Sequence, residues 1–291
     1  TINQIPTLPG MDVHPPGYFA ALHVWMDWFG RSEFALRYLS LVLSLLTLAS
    51  LIRFGRMVGG ARAGLWTGLL TALSPCYVAY AQEVRMYAML TCLAAASVYY
   101  LWQLCLHPDN QNNSKVLIAY IITTTLTLYT HYFTIFLLCF ENLLWLMWFV
   151  REQGLLWRQR LKRLGYWVGA QLAMLLLFSP QLRLASRQVT TYANPNLNPP
   201  TLLYYITHNW QAYTLGLTFN PTQAQPYLWA LALLLVGGLV FYLRPSTIGP
   251  VAVLAGWFVI PLTLYFVVLQ SRPSYQPRYM MLITPALFLL F

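Results

Sequence analysis

Residues Val116–Val150 read VLIAYIITTTLTLYTHYFTIFLLCFENLLWLMWFV. Crossing the hydrocarbon core of a bilayer takes about 20 mostly apolar residues, so this run is too long for one span and too apolar for a loop. His131 interrupts it near the middle, and two spans are predicted to meet there, at 116–132 and 133–150. Glu141 and Asn142 fall inside the second, where burial against a neighbouring helix is the expectation. Measured with the same ruler, further spans are predicted near 33–52, 64–82, 86–106, 165–182, 226–243 and 248–270, and a ninth begins near 278. The fold class expected is therefore all-α and polytopic, with about nine spans in a single domain over 1–291.

Composition agrees. The 291 residues are 58% hydrophobic and only 8% charged, with a mean hydropathy of +0.55, whereas soluble domains carry about 25% charged residues. The 11 Trp and 20 Tyr suit a chain with two membrane–water interfaces. The net charge of +10 is spread along the chain and forms no basic, aromatic-laced face, which argues against a nucleic-acid partner. Cys76, Cys92, Cys105 and Cys139 lie in apolar stretches without a C-x-x-C pair and read as small packing residues.

Two shorter apolar stretches read as interfacial helices. One follows Pro15 and Pro16, in PGYFAALHVWMDWF; the other is TLLYYITHNWQAYTLGL, after the NPNLNPP segment. Alternation of the spans sends Arg53, Arg56, Arg62, Lys115, Arg151, Arg158, Arg160, Lys162, Arg163 and Arg244, ten of the 17 basic residues, to one side. The positive-inside tendency makes that side cytoplasmic. Residues 1–32, the QEVR corner, the THY corner, a loop over 183–225 and SRPSYQPRY then share the opposite, extracytoplasmic side. Asp12, His14, Glu83, Arg85, His131, Arg272 and Arg278 converge on that surface. Residue 1 would begin there with no helix to deliver it, and the last span stops in mid-course, so the chain is expected to be truncated at both ends.

Each candidate has a plain structural reading beside a chemical one. In SPCYVAYAQEVRMYAML, two charges sit at a tight corner between spans, and Glu83 and Arg85 either pair to fix the turn or bind ligand. Arg suits an anion such as phosphate because its planar fork matches phosphate oxygens. His131 is either a hydrogen-bonded junction residue or an orienting donor. Arg278 either snorkels to the interface or makes a second phosphate contact, with Tyr279 packed beside it. No G-x-S-x-G, P-loop, H-E-x-x-H or nucleotide-binding glycine fingerprint occurs.

These segments carry a resemblance. DVHPPGYF resembles the D-x-H-P-P signature of the dolichyl-phosphate-mannose protein mannosyltransferase family, whose bacterial relatives have the GT-C membrane fold. LHVWMDWFGRSEFALRYLSLV is similar to the same group, in which an aromatic-rich helix leads to G-x-[ST]-E-x-x-x-R. SPCYVAYAQEVRMYAML, YTHYF and RYMMLITP follow in the same order. The resemblance implies an inner- or plasma-membrane enzyme that moves a hexosyl or pentosyl group from a polyprenyl-phosphate carrier to an acceptor at the extracytoplasmic face. The acceptor would be a protein, a glycolipid or a lipid. It puts Asp12 and Glu83 at the acidic, catalytic positions of two external loops, with Arg85 and Arg278 on the donor phosphate. His14, Tyr87 and His131 would orient substrates. A divalent metal ion, held by Asp12, Glu83 and His14, is the one cofactor the pattern suggests. The family's first membrane helix and the acidic residue after it, the usual proposed base, have no counterpart in these residues. Two other functions stay open: a lipid or small-anion transporter or flippase, and an inactive fragment of the enzyme.

Overall fold

The computed structural model describes residues 14–106, 113–152, 156–191, 198–244 and 247–291, and Asp12 lies outside them. The described residues form helices and no strand. Helix α1 (Gly17–Phe29) leads into α2 (Glu33–Leu73), whose N-cap Ser32 accepts the Ala35 N–H at 3.2 Å. Trp25 at the end of α1 donates its indole N–H to the Ala35 carbonyl at 2.8 Å and ties the two together.

Helix α2 is folded back on itself. Gly60 has a φ of +82°, and beyond it the second limb returns along the first. An added Cβ on Gly64 would lie 2.6 Å from the Ile52 carbonyl, and one on Gly68 would lie 2.6 Å from the Ile52 side chain. Gly60 makes the turn, while Gly55 on the first limb and Gly64 and Gly68 on the second let two apolar limbs meet almost backbone to backbone. The predicted spans 33–52 and 64–82 are these two limbs. The second is finished by a separate helix, α3 (Pro75–Ala81), because Ser74 caps a new start and Pro75 occupies its first position.

Helices α4 (Tyr87–Leu106), α5 (Asn113–Thr130), α6 (Thr134–Arg151), α7 (Trp157–Thr191), α9 (Pro221–Tyr242) and α10 (Ile248–Ser271) supply the other predicted spans. Among the described residues, six helices are long and apolar enough to cross a membrane, and α2 with its two limbs is one of them. Threonine-rich α5 is not in that set. The expected loop over 183–225 in fact holds the end of α7 and all of α8 (Leu202–Thr214), the second interfacial helix. The predicted ninth span begins as a 3₁₀ segment (Pro277–Ile283) and becomes helical only in α11 (Thr284–Leu290).

That last segment is buried in the bundle. Met280, Met281, Leu282 and Ile283 are at most 1% exposed. The Trp257 indole donates to the Leu282 carbonyl at 3.1 Å and the Tyr213 hydroxyl to the Pro277 carbonyl at 2.8 Å. The centre of the bundle is α4, with Leu90, Ala94, Val98 and Leu101 wholly buried. By contrast α7 and α9 present Leu176, Leu233 and Leu234 outward, a surface matched to lipid rather than water. Glu141 is buried as expected: it accepts from Ser97 at 2.5 Å and from Tyr120 at 3.0 Å, and Ser97 meets Thr124 at 2.7 Å. One carboxyl thereby links α4, α5 and α6.

Candidate functional site at one end of the bundle

The site begins with a close approach. Pro16 caps α1, and the next residue must pass the end of α5 so tightly that a Cβ on Gly17 would sit 2.5 Å from the Tyr129 carbonyl oxygen. Only glycine fits. This contact brings His14 to the corner between α5 and α6, with its ring centroid 5.1 Å from that of His131. Tyr279, from the 3₁₀ segment, closes a triangle at 5.8 Å from His14 and 5.4 Å from His131. Phe133 and Tyr87 stand at 5.2 and 6.5 Å from the His131 ring.

His131 is only 3% exposed. Its Nδ1 accepts the Phe133 N–H at 3.3 Å, whereas Nε2 is buried with no hydrogen-bond partner. Burial, and after it the neighbouring His14, lowers its pKa from the ordinary 6.5 to about 3. The ring is therefore neutral at physiological pH.

Beside this triangle, the Arg278 guanidinium carbon lies 5.8 Å from the centre of the Tyr87 ring. Its Nε is buried and unpartnered. Tyr87 packs on Tyr80 at 5.1 Å, and Tyr80 lies within electrostatic reach of both Glu83 and Arg278. Glu83 is held by its backbone, since its carbonyl accepts the Ser40 hydroxyl at 2.7 Å. One carboxylate oxygen, Oε2, is buried without a partner. Arg85 is exposed at the same corner. Both charges act on buried Tyr18, whose phenol burial pushes up, against the opposing effects of Ser40 and Arg85.

The structure thus gathers His14, Tyr87, His131 and Arg278 into one cluster, with Glu83 and Arg85 on its rim. Tyr18, Tyr80 and Tyr279 belong to the same surroundings. Tyr18 and Tyr80 lie inside the quoted motifs, but nothing separates them by type from the other tyrosines among the 20 in the chain. Asp12 is outside the described residues. Among the described residues no three His, Cys, Asp or Glu side chains come together as a metal set.

Next to the cluster, a cavity of about 410 Å³ lies between α5, α6 and α7. Leu128, Ile135, Met174 and Phe178 line it, with Tyr132 at one end. The Tyr132 hydroxyl accepts from Gln181 at 3.0 Å. Since Tyr132 follows His131, this apolar groove starts one residue from the polar cluster.

Apolar outer faces, an apolar groove and a polar cluster at one end of the helices define a multi-pass membrane protein. Residues 13–183 match the dolichyl-phosphate-mannose-protein mannosyltransferase family, and the chain belongs to it. Its fold is similar to that of ArnT from Cupriavidus metallidurans in the apo state, at a TM-score of 0.65 and 19% identity, covering 95% of this chain and 48% of that one. The same protein bound to undecaprenyl phosphate gives 0.58 and 21%, with the same coverage. This chain spans about half the length of those structures, and the expected GT-C-like helical architecture is what they share with it. No curated protein matches the chain.

Proposed function

We propose that the protein is a glycosyltransferase that moves a sugar from a polyprenyl-phosphate carrier to an acceptor at the extracytoplasmic face of the inner or plasma membrane. The observation that carries this reading is the set of three buried, unpartnered polar atoms at one end of the bundle: Glu83 Oε2, His131 Nε2 and Arg278 Nε. An orphaned buried donor or acceptor costs about 1–3 kcal/mol. Two N–H donors and a carboxylate beside an apolar groove suit a ligand with an anionic head and a hydrocarbon tail. Family membership and the undecaprenyl phosphate bound to ArnT support the lipid-phosphate donor. The concentration of basic residues in the loops at the other end supports the extracytoplasmic placement.

Direct displacement then runs as follows. The acceptor oxygen bonds to the anomeric carbon while the bond from that carbon to the phosphate oxygen breaks, and the electron pair leaves with the lipid phosphate. The acceptor's proton passes to a carboxylate, Glu83 or Asp12. Arg278 and Arg85 stabilise the charge that builds on the phosphate. Attack from the face opposite the leaving group inverts the configuration at that carbon. A transporter would carry an ionisable group exposed to a mid-membrane cavity, whereas Glu141 is satisfied by Ser97 and Tyr120.

Transfer from radiolabelled polyprenyl-phosphate-sugar by the full-length protein tests the reading, comparing wild type with Asp12→Asn and Glu83→Gln. Loss of the catalytic base lowers kcat by about 10²–10⁴ in at least one variant while both still fold. Equal transfer in all three removes both carboxylates from catalysis. A chelator arm decides whether a divalent ion takes part.

A further inference from the structure

His131 is almost fully enclosed in the cluster, and its two ring nitrogens are treated differently. The Phe133 N–H points into Nδ1 at 3.3 Å, so Nδ1 must offer a lone pair. A neutral imidazole carries one proton, and here that proton has to be on Nε2. Nε2 has no partner in the fold and is shielded from solvent. The backbone at this corner leaves the ring little freedom. The His131 N–H is bound to the Thr127 carbonyl at 3.0 Å, and the His131 carbonyl accepts from Thr134 at 3.1 Å. His14, Tyr279, Tyr87 and Phe133 wall the ring.

We infer that His131 is a hydrogen-bond donor with a fixed tautomer, whose Nε2–H binds a phosphate oxygen of the lipid-linked donor, and that it is neither a proton acceptor nor a metal ligand. The inference rests on the donor reading above and gives this residue a single chemical task. A base or a metal ligand needs a lone pair on Nε2, and the Phe133 N–H assigns that nitrogen the proton instead. Phosphate oxygen is favoured over a sugar hydroxyl because a second unpartnered N–H, on Arg278, lies in the same cluster. Arg278 stacks on Tyr87 and adjoins Tyr279 in the chain, and both of these rings face His131. The buried donor goes unsatisfied in the free protein and gains its bond only when ligand arrives, so the interaction adds to affinity without competing with one already made.

The test uses the full-length protein in nanodiscs, ¹⁵N-labelled at histidine, with undecaprenyl phosphate as probe. Before ligand is added, His131 should show a protonated Nε2 and an unprotonated Nδ1 by ring-nitrogen chemical shift, and undecaprenyl phosphate should move the Nε2 signal. His131→Phe, which keeps the ring but has no donor, should weaken binding by about 10- to 100-fold. His131→Gln, which keeps an N–H near the same place, should stay within a few-fold of wild type. An unprotonated Nε2 in wild type overturns the assignment whatever the variants do. So does equal binding by wild type and His131→Phe, or equal loss in both variants. Wild type that binds no undecaprenyl phosphate overturns the donor reading together with this one. An inorganic-phosphate arm separates the sources: dependence on His131 with free phosphate but not with the lipid would reassign the contact and overturn the lipid-donor role.

Discussion

Substituting Gly17 by alanine should damage catalysis more than stability, and the size of the effect follows from one contact. The new Cβ would lie 2.5 Å from the Tyr129 carbonyl oxygen and 2.8 Å from its carbon, where ordinary contact starts at 3.4 Å. The shortfall to the oxygen is 3.4 − 2.5 = 0.9 Å. Both obstructing atoms are backbone, so no side chain can rotate aside. Tyr18, the next residue, is fully buried and cannot slide. The start of α1 must therefore lift away from α5 by most of that distance and take His14 with it. Overpacking of this kind costs about 1–3 kcal/mol, which lowers the melting temperature by several degrees. A misplacement of about 1 Å in catalytic geometry costs on the order of 10²-fold in rate. The assay is sugar transfer per folded molecule, with the thermal midpoint measured on the same preparation. Gly169→Ala, where an added Cβ meets nothing within 4 Å, is the control and should change neither. Wild-type transfer by Gly17→Ala would refute the claim that this contact sets the position of His14.

Three further outcomes are expected. Glu141→Leu should lower stability by about 1–3 kcal/mol, because interhelical hydrogen bonds in membranes contribute roughly 0.6–2 kcal/mol each; thermal unfolding measures it, and transfer per folded molecule should stay near wild type. Arg278→Lys should raise KM for the lipid donor by about tenfold or more while KM for the acceptor is unchanged, since an ammonium cannot replace a planar fork stacked on Tyr87; steady-state kinetics with each substrate varied separates the two. The His131 pKa is lowered in the fold from 6.5 to about 3, so between those values the unfolded chain binds a proton that the folded chain refuses. Stability should be unaffected by this residue above about pH 6.5 and should fall as the pH drops through the window; His131→Gln should flatten that part of a melting-temperature profile.

Much of the architecture was legible in residue pattern. The break at His131, the two limbs on either side of Gly60 and the two short helices after Pro16 and Pro200 follow from apolar run length and from proline and glycine, whereas the expected span over 64–82 is divided by a new helix start at Ser74-Pro75. The nature of the last segment was not. Apolarity alone cannot separate a helix that faces lipid from a strand of 3₁₀ turn wrapped on all sides by protein, and RYMMLITP is the second kind. Helix α7 also runs through Pro180 and well past 182, because nothing in composition marks where an apolar helix leaves the bilayer. At the site, His14, His131, Arg278 and Glu83 stood out because a polar group in an apolar chain needs a reason. Tyr18 and Tyr80 did not stand out, since tyrosine is common here and interface packing explains most of it.

The 3₁₀ segment also has a consequence in time. A ribosome delivers this chain from the N-terminus, and α2, α4, α6 and α10 are made before Pro277–Ile283. Until those seven residues arrive, Trp257 and Tyr213 lack the Leu282 and Pro277 carbonyls they donate to, and the cluster has neither Arg278 nor Tyr279. A nascent chain paused before Pro277 would therefore hold His131 and Tyr87 without the Tyr279 and Arg278 side chains that pack against them in the finished fold.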